Sequence, residues 1–259
     1  LPKVPMVVVF DTAFHQTMDE VSYLYAVPYE WYEKYGVRRY GFHGTSHRYI
    51  TKKISEELGR DDLKIISCHL GNGGSVTAIK DGKVVDTSMG FTPLAGIVMG
   101  TRSGDVDPSI IPYVMEKAGL NASEVVEALN KKSGYLGLSG KYSDSRDIED
   151  GYKAGDKRCI LTQEKFIKSV VGYIANYYVL LGGADVICFA GGIGENAPDA
   201  RMMITEKLAC LGIKLDVEKN NVRGKLQKIS TDDSTTALYV VPTDEELMIA
   251  MDTLSLINR

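Results

Sequence analysis

The chain has 259 residues, of which 44% are hydrophobic and 25% charged, a composition typical of a globular protein with one large domain or two small ones. Thirty Lys and Arg against 34 Asp and Glu give a net charge of -4. This balance argues against nucleic acid as a partner, although local cations can still bind an anionic ligand. The longest apolar stretch, residues 179–190, is interrupted by Gly182, Gly183 and Asp185, so the sequence predicts no membrane span.

The cysteines indicate a reducing compartment. They form no Cys-x-x-Cys pair, and a disulfide scaffold is not expected at this chain length. We therefore predict reduced, buried thiols and a cytoplasmic location. The residues concerned are Cys68, Cys159, Cys188 and Cys210. The chain begins Leu1-Pro2-Lys3, without an initiator Met or a signal-like region, and is expected to be a piece of a longer protein.

The first sixty residues contain three predicted elements. Residues 4–10 form an apolar run typical of a buried strand, and residues 28–35 are rich in aromatic side chains and predict a short helix. A longer helix is predicted to begin at Thr45 or Ser46 and to end at Gly59, because its apolar residues recur every four positions. Those residues are Ile50, Ile54 and Leu58.

Three strand signals follow in quick succession. Residues 64–70 lead into the turn Gly71-Asn72-Gly73-Gly74, and residues 75–80 lead into Asp81-Gly82, a dipeptide typical of hairpins. Residues 83–87 complete a predicted β-meander.

The rest of the chain alternates helices with strands. Helices are predicted at 108–117, 123–132, 161–181, from Pro198 to near Gly212 and at 244–256, strands at 185–190, 213–216 and 237–241, and Gly-rich polar loops at 88–107 and 133–147. This order predicts an α/β domain whose ligand lies at the ends of the strands.

Residues 191–196, Gly-Gly-Ile-Gly-Glu-Asn, follow a predicted buried strand and open a helix, a place where free N–H groups favour an anion. A tight turn without a ligand is one alternative. The spacing Gly192-x-Gly194-x-x-Ala197, with Asp216 after a later strand, also fits the dinucleotide fingerprint of a dehydrogenase. That motif normally opens its domain, whereas this one follows three strands and several helices.

The turn at residues 71–75 has two interpretations. Its Asn-Gly pair favours a simple hairpin, whereas successive N–H groups of a Gly-rich turn bind phosphate oxygens in other proteins. No Walker A motif competes with it, because no Gly-Lys pair of the chain is followed by Ser or Thr.

Two further segments carry candidate side chains. His43 and His47 have a spacing compatible with a metal on a helix, but a zincin glutamate and a third ligand are not evident, so capping or core histidines are the simpler interpretation. Arg102 lies among small residues and is either a solvated loop arginine or a cation that reaches an anion site.

Five segments, taken as a set and in this order, resemble the acetate kinase (acetokinase) family over essentially the whole chain. They are residues 10–15 (Phe-Asp-Thr-Ala-Phe-His), 41–47 (Gly-Phe-His-Gly-Thr-Ser-His), 69–73 (His-Leu-Gly-Asn-Gly), 100–105 (Gly-Thr-Arg-Ser-Gly-Asp) and 191–196. The resemblance implies the ribonuclease H-like ATPase fold of the acetate and sugar kinase, Hsp70 and actin superfamily, whose domains share a βββαβαβα core. Residues 1–11 would be the last strand of an N-terminal domain, 12–244 the C-terminal nucleotide-binding domain, and 245–259 a helix that packs back toward the N-terminal domain.

The resemblance also implies roles for individual residues. Asp11 matches the active-site aspartate, and His43 and Arg102 match residues that stabilise the transferring phosphoryl group. Because an acceptor carboxylate has no proton to lose at neutral pH, we expect Asp11 to orient groups or act through the metal. Glu245 matches the carboxylate associated with Mg²⁺ (or Mn²⁺). Phe42 and Pro93 match the pocket for the acyl methyl group, and the nucleotide-binding residues would be His69, Leu70, Gly71, Asn72, Gly73, Asp144, Ser145, Arg146, Gly192, Ile193, Gly194, Glu195 and Asn196.

The implied function is reversible phosphoryl transfer from ATP to acetate, giving ADP and acetyl phosphate, in a homodimer. Propionate or butyrate kinase and a non-catalytic nucleotide-binding module are the alternatives. The family's first domain, which carries an acetate-holding Arg, has no counterpart here, so we expect this chain alone to bind nucleotide weakly and to lack kinase activity. Without that domain, Leu247, Met251 and Leu254 are expected to form an exposed apolar stripe.

Overall fold

A six-stranded sheet organises residues 4–258, the part of the chain that the computed structural model describes. Its strands are β1 (Lys64–Leu70), β2 (Gly74–Lys80), β3 (Lys83–Thr87), β4 (Val186–Ala190), β5 (Gln227–Lys228) and β6 (Ala237–Val240). Their order across the sheet is β3-β2-β1-β4-β6-β5. The strands β1 to β3 form an antiparallel meander, β1, β4 and β6 run parallel, and β5 pairs antiparallel with β6. This topology confirms the predicted α/β class and the ribonuclease H-like fold.

Helices cover the two faces of the sheet. They are α1 (Glu20–Tyr23), α2 (Glu30–Tyr35), α3 (Gly44–Leu58), α4 (Ile110–Ala118), α5 (Ala122–Lys131), α6 (Gly134–Ser139), α7 (Ser145–Lys153), α8 (Lys157–Leu180), α9 (Gly191–Asn196), α10 (Pro198–Lys207), α11 (Val217–Asn220) and α12 (Glu245–Ile257). Short 3-10 turns lie at Ala13–Thr17 and Ala209–Leu211. In the described part of the chain, no helix is both long and apolar enough to cross a bilayer.

Alternate residues of the central strands face two separate apolar cores. In β1, Ile66 and Cys68 join the core under α8, whereas Ile65 joins the core under α3 together with Ile50 and Ile54. A strand that is buried on both faces reads as a continuous apolar run, which is why β1 and β4 could be recognised in the sequence.

Several boundary predictions are confirmed and others are wrong. The helix predicted from Thr45 or Ser46 begins at Gly44 with His43 at its N-cap, and residues 133–147 are not a loop but contain α6 and the start of α7. Residues 213–216 form only an isolated bridge from Leu215 to Ser230, because the chain turns into α11 at Asp216, its N-cap, and the pairing ends there.

The strand predicted at residues 4–10 is absent from the structure. These residues have no regular secondary structure, pair with none of the six strands, and expose Met6, Val8 and Phe10. An apolar run becomes a strand only when a neighbouring strand accepts its N–H and C=O groups, and no such neighbour lies beside it among residues 4–258. The assignment of residues 1–11 to another domain stays a prediction. Leu1, Pro2, Lys3 and Arg259 lie outside the described residues.

The last helix, α12, packs on α3. Met248 is buried there, and the Arg48 guanidinium pairs with the Asp252 carboxylate at 2.6 Å. The predicted apolar stripe is confirmed as exposed, with Leu254 58% accessible and Leu247 and Met251 also exposed. Three cysteines are buried as predicted, whereas Cys210 is exposed because it lies on the surface turn after α10.

Candidate active site

Two Gly-rich turns meet at one edge of the sheet. The turn Gly71–Gly73 follows β1, and α9 follows β4, so both lie at the carboxyl ends of adjacent parallel strands. A Cβ atom placed on Gly71 would lie 3.9 Å from the backbone nitrogen of Gly192. The two turns are therefore neighbours with almost nothing but backbone between them, as a site for phosphate oxygens requires.

Two more loops close around these turns. The Gly100 nitrogen donates to the Asn72 carbonyl at 3.0 Å, and a Cβ on Gly100 would lie 2.0 Å from Asn72 Oδ1 and 2.9 Å from the Ser143 carbonyl. Between the loops lies a cavity of about 490 Å³. Its lining residues are Gly71, Asn72, Tyr135, Ser143, Asp144, Ser145, Arg146, Glu149, Gly192, Ile193, Asn196, Ala197 and Arg223. The structure thus brings the three predicted nucleotide-binding segments together.

Asp144 and Arg146 form one side of this cavity. Asp144 is the N-cap of α7, where its Oδ1 accepts the Arg146 backbone N–H at 2.9 Å. The Arg146 guanidinium also donates to both carboxylate oxygens, with Nη2 to Oδ2 at 2.6 Å. These hydrogen bonds lower the pKa of Asp144 to about 2. The pair presents a fixed acidic group and a largely exposed cation to the cavity.

The Glu195 side chain in α9 stabilises the backbone of the site. Glu195 Oε1 accepts the backbone N–H of Gly191 at 2.9 Å and that of Thr243 at 3.2 Å. We call this pair of bonds the Glu195 latch. Of the predicted nucleotide-binding residues, Glu195 therefore has its Oε1 atom occupied by backbone N–H groups, and the Leu70 side chain is buried in the core.

A buried arginine supports the same turn. Arg201, 1% exposed, donates to the Gly194 carbonyl at 2.8 Å, to both oxygens of Asn220 and to the Val222 carbonyl. Burial lowers the pKa of Arg201 to about 10. Because carbonyl oxygens take up the guanidinium donors, Arg201 fixes the position of α9 without a carboxylate partner.

His43 and Arg102 meet at the turn after β1. A Cβ on Gly73 would lie 3.3 Å from Arg102 Nη1 and 3.5 Å from His43 Nε2. Arg102 is held by the Pro93 carbonyl at 3.3 Å, and His43 Nδ1 lies 2.9 Å from Ser75 Oγ. A guanidinium and an imidazole thus face one small space beside the glycine turn.

His43 is a neutral imidazole at physiological pH. Burial, the nearby Arg102 charge and His15 lower the pKa of His43 to about 4. Its ring stacks on His69 with centroids 4.3 Å apart, and burial together with His43 lowers the pKa of His69 to about 3. A neutral imidazole can donate a hydrogen bond but adds no charge, so Arg102 is the cation of this space.

Two carboxylates lie near each other beside the start of α3, and one of them contacts His43. Asp11 Oδ2 accepts the His43 backbone N–H at 2.8 Å, and burial together with the Asp11 charge raises the pKa of Glu245. Two neighbouring carboxylates with hard oxygen atoms fit Mg²⁺, which keeps several waters and takes few protein ligands. A set of three or more ligating side chains is not found among residues 4–258.

Two side-chain roles considered above do not fit this geometry. His43 and His47 cannot share a metal, because both ring nitrogens of His47 are hydrogen-bonded, Nδ1 to Ser67 and Nε2 to Ser75. Asp216 caps α11 through its side chain, accepting the N–H groups of Glu218 and Lys219 at 3.1 Å each. It is therefore a structural residue rather than the ribose ligand of a dehydrogenase.

The profile of the acetokinase family matches residues 1–251. The chain belongs to the acetokinase family. An acetate kinase of Phocaeicola vulgatus is 57% identical to it over 261 aligned positions, which cover 100% of this chain and 66% of that protein. An acetate kinase of Thermoanaerobacter pseudethanolicus is also 57% identical, over 65% of its own length. The chain thus spans just under two thirds of these acetokinases.

Solved acetokinase structures have the same fold. The crystal structure of Porphyromonas gingivalis acetate kinase superposes with a TM-score of 0.93 at 48% identity, covering 96% of this chain and 63% of that one. A propionate kinase from Francisella tularensis gives a TM-score of 0.92 at 44% identity, covering 96% and 64% respectively.

Some residues of this acetokinase site were not predicted from the sequence. Tyr135 and Arg223 line the cavity, and Arg201 and Ser75 hold its walls. Tyr135, Arg201 and Arg223 lie in segments without a distinctive motif, and Ser75 closes a turn that was singled out for its glycines alone. Only the tertiary fold brings these side chains to the site. Phe42 directly precedes His43 in the chain, and the Pro93 carbonyl accepts a hydrogen bond from Arg102. Their place in a pocket for the acyl methyl group stays a prediction.

Proposed function

We propose that the full-length protein is an acetate kinase, which transfers the γ-phosphoryl group of ATP to acetate. One observation carries the proposal: Arg102 and His43 converge beside Gly73, next to the cavity lined by the nucleotide-binding segments. A module that only senses a nucleotide needs no such pair at the outermost phosphate. Membership of the acetokinase family supports the same reaction.

Transfer between ATP and a carboxylate brings two anions together. The acceptor is already deprotonated at neutral pH, so the protein has to offset repulsion and hold donor and acceptor in line. Arg102 is suited to the equatorial oxygens of the moving group, and His43 donates a hydrogen bond there without adding charge. Asp11 orients His43 through the backbone N–H that it accepts at 2.8 Å.

Asp11 and Glu245 are the groups that would hold Mg²⁺ or Mn²⁺. When bound, the ion neutralises charge on the terminal phosphates. The burial of Glu245 and its proximity to Asp11, which together raise the Glu245 pKa, support this assignment, because a cation between two carboxylates removes their repulsion.

The main-chain N–H groups of Asn72 and Gly73 and those of residues 192–194 at the start of α9, with Arg146, would bind the phosphates of ATP or ADP. The Gly71 N–H holds the turn instead, because it donates to the Gly73 carbonyl at 3.0 Å. A thermal shift assay separates this proposal from the dehydrogenase alternative. We expect the chain to be stabilised by ADP with Mg²⁺ and unaffected by NAD. Stabilisation by NAD alone would refute the nucleotide assignment.

The acceptor is proposed to be acetate, with propionate or butyrate as the alternative. The similarity to a propionate kinase structure supports keeping that alternative. The pocket near Phe42 and Pro93 would hold the acyl methyl group, where one methylene changes binding by about 1–3 kcal/mol. A coupled assay with the three acids ranks them by kcat/KM, and a preference for propionate above tenfold would change the assigned substrate.

Substitution of the converging pair tests the mechanism. In the full-length protein, Arg102→Ala is expected to lower kcat by about 10³-fold, as for other transition-state arginines, while the Kd for ADP changes little. His43→Ala should act in the same direction. Arg60→Ala is the matched control, because Arg60 follows the C-terminal end of α3, away from His43 at the N-terminal end, and its guanidinium contacts Asp62 and Asp185. Equal loss of kcat and ADP affinity would mean that the pair only supports the fold.

We also propose a homodimer in a reducing, cytoplasmic compartment. The buried, unpaired Cys68, Cys159 and Cys188 support the compartment. Light scattering on the full-length protein tests the dimer. The absence of turnover in the 259-residue chain alone stays a prediction, checked by the same coupled assay.

A further inference from the structure

All four histidines of the chain lie in one cluster. His43 stacks on His69, the rings of His47 and His69 have centroids 6.3 Å apart, and those of His15 and His47 are 5.9 Å apart. The proposed function assigns a role to His43, and the family resemblance implies a nucleotide contact for His69. His47, which is completely buried between α3 and the sheet, has none.

A line of hydrogen bonds connects His43 to the interior through His47. His43 Nδ1 lies 2.9 Å from Ser75 Oγ, which lies 2.7 Å from His47 Nε2, and His47 Nδ1 lies 2.8 Å from Ser67 Oγ. Ser67, His47 and Ser75 are each fully buried. We call these three residues the buried relay.

The number of protons fixes the direction of these bonds. Among residues 4–258, Ser67 Oγ has no polar contact besides His47 Nδ1, so its hydroxyl proton is satisfied only by donation to that nitrogen. His47 then carries its own proton on Nε2 and donates it to Ser75 Oγ. The hydroxyl proton of Ser75 is then directed to the other neighbour, and Ser75 donates to His43 Nδ1.

The opposite direction leaves a buried donor without a partner. If His43 Nδ1 donated to Ser75, then Ser75 would donate to His47 Nε2, and His47 Nδ1 would donate to Ser67. The Ser67 hydroxyl would then have no acceptor in the core, which is unfavourable. Burial lowers the pKa of His47 well below its usual value, so a doubly protonated His47 is excluded at neutral pH as well.

We propose that Ser67, His47 and Ser75 are positioning residues that hold neutral His43 in the tautomer with its proton on Nε2. That nitrogen lies 3.5 Å from the position of a Cβ on Gly73, beside Arg102. The tautomer gives His43 a donor toward an anionic phosphoryl oxygen, whereas the other tautomer would present a lone pair that repels it. The use of this donor rests on the proposed kinase function, but the tautomer itself does not.

Nitrogen NMR of the protein with ¹⁵N-labelled histidine tests the relay directly. In the ligand-free wild-type protein at pH 7, we expect a protonated-type signal from His43 Nε2 and a lone-pair-type signal from Nδ1. A protonated Nδ1, or an imidazolium, would overturn the proposal. Because the measurement needs no turnover, the tautomer can be established even if the protein proves not to phosphorylate acetate.

A serine substitution tests whether the relay is the cause. Ser67→Ala removes the hydroxyl that sets the direction, so the His43 signals should become a mixture of tautomers. If the full-length protein has kinase activity, the kcat of Ser67→Ala should be about tenfold lower than that of the wild type at an unchanged KM for ATP. A tenfold decrease corresponds to about 1.4 kcal/mol in activation free energy. Ser88→Ala is the matched control: Ser88 is also buried at the sheet and accepts the Val76 N–H, but lies outside the relay. An unchanged His43 tautomer in Ser67→Ala would refute the relay.

Discussion

Gly73 offers a direct test of where the transferred phosphoryl group lies. A methyl group at this position would be 3.3 Å from Arg102 Nη1 and 3.5 Å from His43 Nε2, so it would occupy the space that the two side chains share. Gly73 does not have a positive φ, and both contacts are with the ends of side chains. The Gly73→Ala variant should therefore fold while its site is blocked.

The size of the effect follows from the contacts that are lost. A hydrogen bond to a charged group contributes about 1.5–3 kcal/mol, and the methyl group separates a phosphoryl oxygen from both donors. A loss of about 3–6 kcal/mol in the transition state corresponds to about 10²–10⁴-fold in kcat/KM. Thermal stability should change by less than about 4 °C, the shift expected for about 1 kcal/mol in a domain of this size.

The assay is the coupled acetate kinase reaction of the full-length protein, with ADP binding measured by calorimetry. Gly172→Ala is the control, because Gly172 lies within α8 with no atom near its Cβ position and should be stabilised slightly. If Gly73→Ala kept more than a tenth of the wild-type kcat/KM, the phosphoryl group would not lie between Arg102 and His43.

Three further predictions concern the walls of the site. Arg201→Met should destabilise the chain by about 3 kcal/mol, or about 6–12 °C in Tm, because four buried oxygens lose their hydrogen-bond donor. Arg223 is exposed, so Arg223→Met is the control and should leave the Tm unchanged. Equal Tm values of the two variants in calorimetry would contradict this prediction. Glu195→Ala should weaken ADP binding while Glu195→Gln, which keeps an acceptor oxygen, largely retains it; titration calorimetry compares them. The contribution of His43 and His69 to the free energy of unfolding should be fully present well above pH 6.5 and be lost as the pH falls toward 4, because an unfolded histidine then binds a proton that these folded rings do not. Each ring changes the free energy by up to about 1.4 kcal/mol per pH unit, and urea unfolding at pH 7 and pH 5 checks the sign.

The elements with a strong repeat could be predicted from the sequence. The meander β1–β3, the helix α3 and the long helix α8 all appear near their predicted bounds, because their apolar residues follow the period of the structure. The helix α8 begins earlier than expected, at Lys157, where Asp156 accepts the N–H groups of Arg158 and Cys159. The start of α8 is set by the capping residue Asp156, which lies outside the apolar repeat and is therefore not detected from periodicity alone.

The failures have equally local causes. Residues 4–10 have the composition of a strand, but a strand is defined by its partner. The helices α6 and α7 lie in a segment rich in Gly and Ser, and their packing against α8 outweighs weak intrinsic propensity. Asp144 caps α7, and an Asp at that place was the one sequence signal for its start.

The candidate site divides in the same way. Each Gly-rich turn could be singled out by composition, but their proximity follows from β1 and β4 being adjacent and parallel, which the sequence does not state. The roles of Arg201, Ser75 and the Glu195 latch depend on which carbonyl or imidazole lies opposite them. Such partners are distant along the chain and are visible only in three dimensions.

The Glu195 latch links two parts of the candidate site. Glu195 Oε1 accepts the backbone N–H of Gly191, the first residue of α9, and that of Thr243, which lies two residues before Glu245. The turn after β4 and the segment that leads into α12 are therefore connected by one side chain. A phosphate that shifted this turn would also shift Thr243 through the Glu195 carboxylate, so one side chain links the nucleotide-binding turn to the segment that carries Glu245.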